Sequence, residues 1–363
     1  MQRAATAATD PPETIAIREG EDFDHARLAE YLKGRVPESE RELEVVQFAG
    51  GHANLTYLLR YGEVEYVLRR PPLGPVAPGA HDMGREYRVL SVLYRGYRYA
   101  PRAYVYCEDP TIIGAPFFIM ERRRGIVVRR AIPSQFGGGE DAVINRRISE
   151  VVIDALADLH STDAAAVGLH TLGNPEGFMR RQIDGWMRRY ERAKTKEVPL
   201  ADEMSRWLGE HLPPSPAPAL LHNDWRLDNM MLDAQDPGRC EAVFDWDMCT
   251  MGDPLADLGT LLVAWLEADD PIPDPGQVVM PSMVPGFMTR GEAVERYCRR
   301  RGIDVANVPY YYVFGLFKMA VVLQQIFHRY HLGQTKDERF RVFEQGAEVL
   351  FWRSQEVSRT LSV

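Results

Sequence analysis

The 363-residue sequence has few cysteines and no long apolar run. Its four cysteines are scattered without CxxC spacing, which excludes a disulfide framework and is typical of reduced, buried thiols. No uninterrupted apolar run approaches the roughly 18 residues that a membrane span requires. The first residues also lack the apolar segment of a signal peptide. We therefore expect a cytoplasmic protein without a membrane partner.

Basic residues are outnumbered, with 43 Lys and Arg against 52 Asp and Glu, so the formal net charge is −9. A nucleic-acid-binding protein needs a basic face to meet phosphates, and this balance argues against such a partner. The hydrophobic fraction of 45% and charged fraction of 26% are typical of a globular protein. The length favours about two domains.

The first 120 or so residues have the pattern of five strands and one helix. Three runs, LEVVQF, LTYLLR and VEYVLRR, are rich in β-branched and aromatic residues. Gly50 and Gly51 lie between the first two runs and favour either a phosphate-binding loop or an ordinary hairpin loop. The apolar spacing of residues 82–94 predicts a helix, on which Glu86 either reaches a cation of the sheet or is a surface residue.

The remainder of the chain has mostly helical periodicity, interrupted by one stretch rich in polar groups. Residues 220–259 set His222, Asp224, Asn229 and Asp245 between short apolar runs that are typical of buried strands. Asp224 provides one general base, while Asn229 and Asp245 provide two oxygen ligands for a hard cation such as Mg²⁺. We interpret this stretch as the active centre of a phosphoryl-transfer enzyme.

The two halves together resemble the bilobal protein-kinase-like fold of the α+β class. The chain looks more closely similar to the aminoglycoside phosphotransferase and choline kinase-like family of small-molecule kinases. Within that family it resembles the kinase domains attached to some acyl-CoA dehydrogenases. The resemblance implies an N-terminal lobe over residues 1–121, with an antiparallel sheet and one helix, and a mainly helical C-terminal lobe over residues 122–363. The supporting segments are GGHANLTYLL, YVLRRPP, AHDMGREYRVL, PFFIMER, LLHNDWRLDNMML and VFDWDMCTMGDPLADLG.

The family's motifs imply a role for each matching residue, with ATP and Mg²⁺ as cofactors. Asp224 would act on the acceptor hydroxyl, and Asn229 with Asp245 would hold Mg²⁺. The implied ATP-binding residues are Gly50, Gly51, Asn54, Arg69, Glu86, Met120 and Glu121. The implied supporting residues are His222, Asp247, Asp253 and Asp257. The candidate acceptor-binding residues are Arg226, Arg181 and Lys318.

Two positions depart from the family pattern. Arg69 stands where a lysine usually meets the α- and β-phosphates, and the two side chains are not interchangeable. Asn223 stands where glycine is usual, but asparagine tolerates a left-handed backbone, so we expect the loop to keep its shape.

The segment that follows Asp245 limits the class of acceptor that we expect. Only a few residues separate Asp245 from the next predicted helix, which leaves no room for the long activation loop of protein kinases. We therefore expect a small-molecule acceptor, and the resemblance to the kinase domains of some acyl-CoA dehydrogenases implies one of the hydroxyacyl-CoA type. An aminoglycoside kinase, a catalytically silent nucleotide-binding module and a metal-dependent hydrolase are the alternatives, although the hydrolase lacks a further histidine pair.

Overall fold

The computed structural model describes residues 13–50, 54–72, 82–270 and 280–361. The chain forms two compact units: unit 1 is Met1–Tyr94 with Ala100–Arg123, and unit 2 is Arg95–Tyr99 with Arg124–Val363. The elements of unit 1 are β1 (Thr14–Ile15), α1 (His25–Leu32), β2 (Glu44–Phe48), β3 (Leu55–Tyr61), β4 (Val64–Arg70), α2 (Met83–Leu93), β5 (Ala103–Cys107) and β6 (Phe117–Glu121).

Unit 2 is mainly helical. Its helices are α3 (Ala142–His160), α4 (Phe178–Ala193), α5 (Pro199–Glu210), α6 (Pro254–Ala264), α7 (Arg290–Arg301), α8 (Val308–His331) and α9 (Phe343–Thr360). Its short strands are β7 (Ile126–Val127), β8 (Ala219–Leu221), β9 (Met230–Leu232), β10 (Cys240–Val243) and β11 (Thr250–Gly252). The antiparallel sheet followed by a helical region confirms the predicted fold class.

A six-stranded antiparallel sheet in the order β1-β2-β3-β4-β6-β5 organises unit 1. The predicted count of five strands and one helix was wrong, because the described residues contain six strands and two helices. The sequence analysis missed the two-residue strand β1 and the helix α1, whose eight residues span just over two turns. Leu28 and Leu32 of α1 are fully buried against the sheet residues Tyr57 and Leu68.

Helix α8 is the central helix of unit 2 and packs against α6, α4 and α9. It is long and apolar enough to cross a membrane by length and composition, contrary to the sequence estimate that no run comes close. More than half of its apolar window is buried inside the protein, as in the core helix of a globular fold. Elsewhere in the described ranges no helix passes that test.

Two glycines let α6 and α8 approach closely. A Cβ atom at Gly259 would lie 2.1 Å from the carbonyl oxygen of Tyr311, and one at Gly315 would lie 2.4 Å from that of Gly259. Any larger residue would force the two backbones apart. Lys318 lies about one helical turn after Gly315 on α8. The close approach of the two helices therefore also brings Lys318 near α6.

Candidate active site

Strand pairing in unit 2 brings together the two predicted metal ligands. Strands β9 and β10 are antiparallel, with Met230 opposite Val243. Asn229 immediately precedes β9, and Asp245 follows β10 by one intervening residue, so both occupy the same end of the strand pair. The backbone N–H of Phe244 donates to the carbonyl of Asn229 at 2.8 Å and extends this pairing to the site.

Asn229 also contacts the third predicted residue, Asp224. Its Nδ2 donates to Oδ2 of Asp224 at 2.8 Å and to the Asp224 backbone carbonyl at 2.9 Å. Because the amide nitrogen is engaged in this way, Oδ1 is the Asn229 atom suited to a cation. A single residue thus fixes the carboxylate of Asp224 and offers a metal ligand.

The donor set fits Mg²⁺. Among the residues that the structure describes, no three or more His, Cys, Asp or Glu side chains form a metal-binding group. Mg²⁺ does not require one, since it uses one or two protein oxygens together with substrate phosphates and water. Asn229 and Asp245 are the side chains that would hold it.

Two residues of the site have a left-handed backbone. Asn223 has φ 66° and Asp245 has φ 70°, a region that non-glycine residues seldom adopt. The expectation that Asn223 preserves the loop in place of glycine is confirmed. Its Nδ2 donates to the carbonyl of Met248 at 2.9 Å, which supplies a local hydrogen bond that glycine could not make.

Asp257 holds the catalytic loop from behind, as predicted. Its Oδ2 accepts from the backbone N–H of His222 at 2.7 Å, and its Oδ1 accepts from that of Asn223 at 2.8 Å. Burial by itself raises the pKa of Asp257, but the hydrogen bond from His160 and that from the His222 backbone lower the pKa below its usual range. The carboxylate therefore stays ionised and clamps two successive peptide groups.

His160 was not predicted as part of the site. It lies at the end of α3, is buried, and places Nε2 3.3 Å from Oδ2 of Asp257. Its Nδ1 lies 2.6 Å from the hydroxyl of Tyr297 on α7. Burial lowers the pKa of His160. A histidine that ends an apolar helix face was the one sequence signal that could have indicated this buried network.

His222 has the bracing role that its surroundings favour. The ring is fully buried, with Nε2 2.8 Å from the carbonyl of Phe244, and Nδ1 accepts from the backbone N–H of Asp224 at 3.3 Å. The indole of Trp246, between Asp245 and Asp247, packs edge-on against it at 4.8 Å. Asp247 itself is half-buried beside this ring.

Asp253 caps helix α6, and Pro254 occupies the first helical position. One carboxylate oxygen accepts from the backbone N–H of Leu255 at 3.0 Å, and the other accepts from the hydroxyl of Tyr311 at 2.6 Å. Burial raises the pKa of Asp253. The cap fixes the start of the helix that carries Asp257.

In unit 1, Arg69 on β4 pairs with Glu86 on α2. Glu86 is fully buried and Arg69 is about 9% exposed, so the surface alternative for Glu86 is wrong. The neighbouring Arg70 follows strand alternation to the opposite face, where its guanidinium donates to the carbonyl of Ile113 at 2.9 Å. The two arginines therefore differ in environment: Arg70 is structural, and Arg69 belongs to a buried ion pair.

The other predicted ATP-binding residues lie at loop and strand positions of unit 1. Gly50 and the buried Asn54 flank the loop between β2 and β3, while Gly51 lies outside the described residues. Met120 is buried on β6, and the backbone N–H of Glu121 donates to the carbonyl of Arg102 at 2.8 Å.

The three candidate acceptor-binding residues have unequal surroundings. Arg226 lies 2.5 Å from Asp228 and 3.8 Å from Asp224. Arg181 donates to the backbone carbonyls of the loop before α4, which gives it a structural role there. Lys318 donates to the carbonyl of Asn223 at 3.1 Å and is the candidate in direct contact with the catalytic loop.

Comparisons with known proteins agree with this geometry. Residues 44–288 match the model of the phosphotransferase enzyme family. Acyl-CoA dehydrogenase family member 11 from Gallus gallus is 32% identical over 97% of this chain but only 45% of its own length. The chain thus spans less than half of that relative.

Solved structures are similar over nearly the whole chain. A protein from Ralstonia eutropha that carries the name of the aminoglycoside phosphotransferases is 28% identical, with a TM-score of 0.80 over 93% of this chain and 99% of that one. A choline kinase from Cryptosporidium parvum is 12% identical, with a TM-score of 0.60 over 93% and 96%, and shares the fold. The chain belongs to the phosphotransferase enzyme family of kinase-like proteins.

Proposed function

We propose that the protein transfers the γ-phosphate of ATP, with Mg²⁺, to a hydroxyl group of a small molecule. We further propose that this molecule is of the hydroxyacyl-CoA type and that the reaction takes place in the cytoplasm. The observation that carries the proposal is the contact of Asn229 with Asp224 at 2.8 Å beside Asp245. The four buried free cysteines are compatible with a reducing compartment.

Asp224 would orient the acceptor hydroxyl and accept its proton. Its carboxylate accepts from Asn229 and its backbone N–H donates to His222, so both parts of the residue are anchored at the site. General-base assistance of this kind contributes typically ~10²–10⁴-fold to a rate. Positioning and charge neutralisation supply most of the remaining acceleration in phosphoryl transfer.

Asn229 and Asp245 would hold the metal ion, and Arg69 would contact the nucleotide phosphates. Mg²⁺ bound to these oxygens supplies positive charge that offsets the charge of the phosphates. A guanidinium suits this purpose, since it forks onto phosphate oxygens, and Glu86 fixes its orientation.

A catalytically silent nucleotide-binding module is the second candidate, favoured by the arginine at position 69. The two functions differ in one observable, because both require nucleotide binding and only the kinase releases ADP in the presence of an acceptor.

Binding of Mg-ATP tests the shared part of both functions. Saturating ligand stabilises a protein by about 2.7 kcal/mol at 100 times its Kd, so Mg-ATP is expected to raise the melting temperature. Asp245→Ala is expected to abolish the magnesium-dependent part of the increase. If Mg-ATP leaves the wild-type melting temperature unchanged, both functions are excluded.

An ADP-release assay over hydroxyacyl-CoAs, aminoglycosides, choline and sugars then distinguishes the acceptor classes. Turnover with a hydroxyacyl-CoA supports the proposal. Turnover restricted to an aminoglycoside contradicts the proposal that the acceptor is of the hydroxyacyl-CoA type.

A further inference from the structure

Three side chains form a compact group beside the catalytic loop, which we name the Trp186 cluster: Trp186, Arg189 and Lys318. The guanidinium carbon of Arg189 lies 4.5 Å from the centre of the Trp186 ring, and Nζ of Lys318 lies 5.7 Å from it. The indole thus gathers two cations from two helices, α4 and α8, around one ring.

Lys318 connects this cluster to the reacting groups. Its Nζ donates to the backbone carbonyl of Asn223, the residue before Asp224, and lies 3.5 Å from Oγ1 of Thr260. An ammonium has three N–H donors, and the described residues accept no more than these two. At least one donor of a half-buried lysine next to the catalytic aspartate therefore remains available to a ligand.

The positive charge of the Trp186 cluster is not neutralised by ion pairs within the protein. In the described part of the chain, neither Arg189 nor Lys318 has an acidic partner within 4 Å, and the same holds for the adjacent Arg188 and Arg192. Burial lowers the pKa of Lys318, and the nearby charges of Asp257 and Asp224 act in the opposite direction. Four cations without acidic partners are unexpected in a protein of net charge −9.

We infer that the Trp186 cluster is the subsite for a multiply charged anionic part of the acceptor, such as the phosphate groups of a coenzyme A thioester. This inference rests on the proposed function and names the residues that select its substrate. Lys318 and Arg189 contact the anion, while Trp186 holds both cations in place.

Charge decides between the acceptor classes. A cationic aminoglycoside or choline would be repelled by Lys318 and its neighbouring arginines. An anion would instead supply the missing counter-charge, and charge-assisted hydrogen bonds to phosphate are stronger than neutral ones. The number of cations favours phosphate groups over a single carboxylate.

Binding of coenzyme A, measured by titration calorimetry, tests the inference. A non-hydrolysable ATP analogue with Mg²⁺ is present throughout, so that coenzyme A cannot bind through its own nucleotide part at the ATP site. Pantetheine serves as the fragment without phosphates. We expect coenzyme A to bind, pantetheine not to bind, and the affinity for coenzyme A to fall as ionic strength rises.

Two variants test whether Arg189 and Lys318 form the subsite. Arg189→Gln is expected to weaken coenzyme A binding about tenfold, the order expected for one hydrogen bond to a charged group. Lys318→Met is expected to weaken it at least as much. Arg189 makes no hydrogen bond to the catalytic loop, so its variant remains informative if the lysine variant disturbs that loop. The matched control is Arg329→Gln, which removes an exposed cation from the same helix α8 and is expected to leave the affinity unchanged.

The outcomes separate this inference from the proposed function. Absence of coenzyme A binding, equal binding of pantetheine, or unchanged affinity in Arg189→Gln and Lys318→Met overturns the subsite. Binding of the ATP analogue is measured in a separate titration before coenzyme A is added, and its absence in the wild type refutes the proposed function whatever coenzyme A does.

Discussion

Arg69 and Glu86 show how a single substitution can preserve an ion pair and still change its chemistry. The guanidinium is nearly buried and faces a fully buried carboxylate, so the two opposite charges offset each other away from water. Arginine does not lose its proton in proteins, whereas a buried lysine can, so the cation at position 69 is permanent.

Removing the charge at position 69 is expected to destabilise the protein as well as weaken phosphate binding. Arg69→Met removes one partner of a buried ion pair and should cost about 3–5 kcal/mol in the free energy of unfolding. Arg69→Lys keeps the charge and should retain measurable activity. Urea denaturation and ADP release measure the two effects, and equal stability of Arg69→Met and the wild type would contradict this account of the pair.

Asp224 offers the sharpest test of catalysis at one residue. Asp224→Asn keeps an oxygen at the position that accepts from Asn229 but removes the base, so Mg-ATP affinity should persist. Turnover should fall by ~10²–10⁴-fold. Steady-state kinetics together with nucleotide titration check both parts, and an unchanged rate would exclude Asp224 as the base.

At the scale of elements, helices α3, α6 and α7 meet at His160, Asp257 and Tyr297 behind the catalytic loop. The network joins groups that are far apart in sequence, since His160 and Asp257 are separated by 97 positions. Such a contact makes the loop sensitive to the protonation of a histidine that does not touch substrate.

Acidification is expected to destabilise the protein through His160. The pKa of His160 is lowered in the folded state, so below pH about 6.5 the unfolded chain binds a proton that the folded chain does not. The free energy of unfolding therefore decreases as the pH is lowered. His160→Asn should lower stability at pH 7.5 and weaken the pH dependence between pH 6.5 and 5. Thermal unfolding across this pH range measures the pH dependence of stability. An identical pH dependence in the variant would contradict the role of His160.

The close approach of α6 and α8 gives a second prediction at this scale. Gly315→Ala would place a methyl group 2.4 Å from a backbone carbonyl and should destabilise the protein by about 1–3 kcal/mol through overpacking. Gly291→Ala, in α7, is the matched control because its Cβ would meet nothing closer than 3.9 Å. The control should be neutral or slightly stabilising by urea denaturation.

Several elements could be predicted from the sequence, and the reasons for the failures are physical. The apolar stripe of α2 and the polar residues 220–259 have strong local patterns, so their positions were predicted. Helix α1 and strand β1 are short, and the burial of Glu86 depends on a partner 17 residues away. Local periodicity carries no information about which distant group will neutralise a charge.

For the whole molecule, net charge and local charge have separate meanings. A formal charge of −9 describes the sequence as a whole, and it conceals the local group of cations around Trp186. The sequence predicted that Lys318 contacts the acceptor without indicating why. The structure adds that the same lysine holds the carbonyl of Asn223.

The two hydrogen bonds from Asp257 to the catalytic loop have a consequence for the order of folding. They join groups 34 and 35 residues apart, and Lys318 reaches the same loop across 95 residues. Local helices form in microseconds, whereas contacts between distant segments come later because loop closure costs entropy. On dilution from denaturant, the helical circular dichroism signal should therefore recover before ADP-releasing activity. The catalytic loop would be among the last parts of the chain to become native, and newly folded molecules would pass through a helical but inactive state.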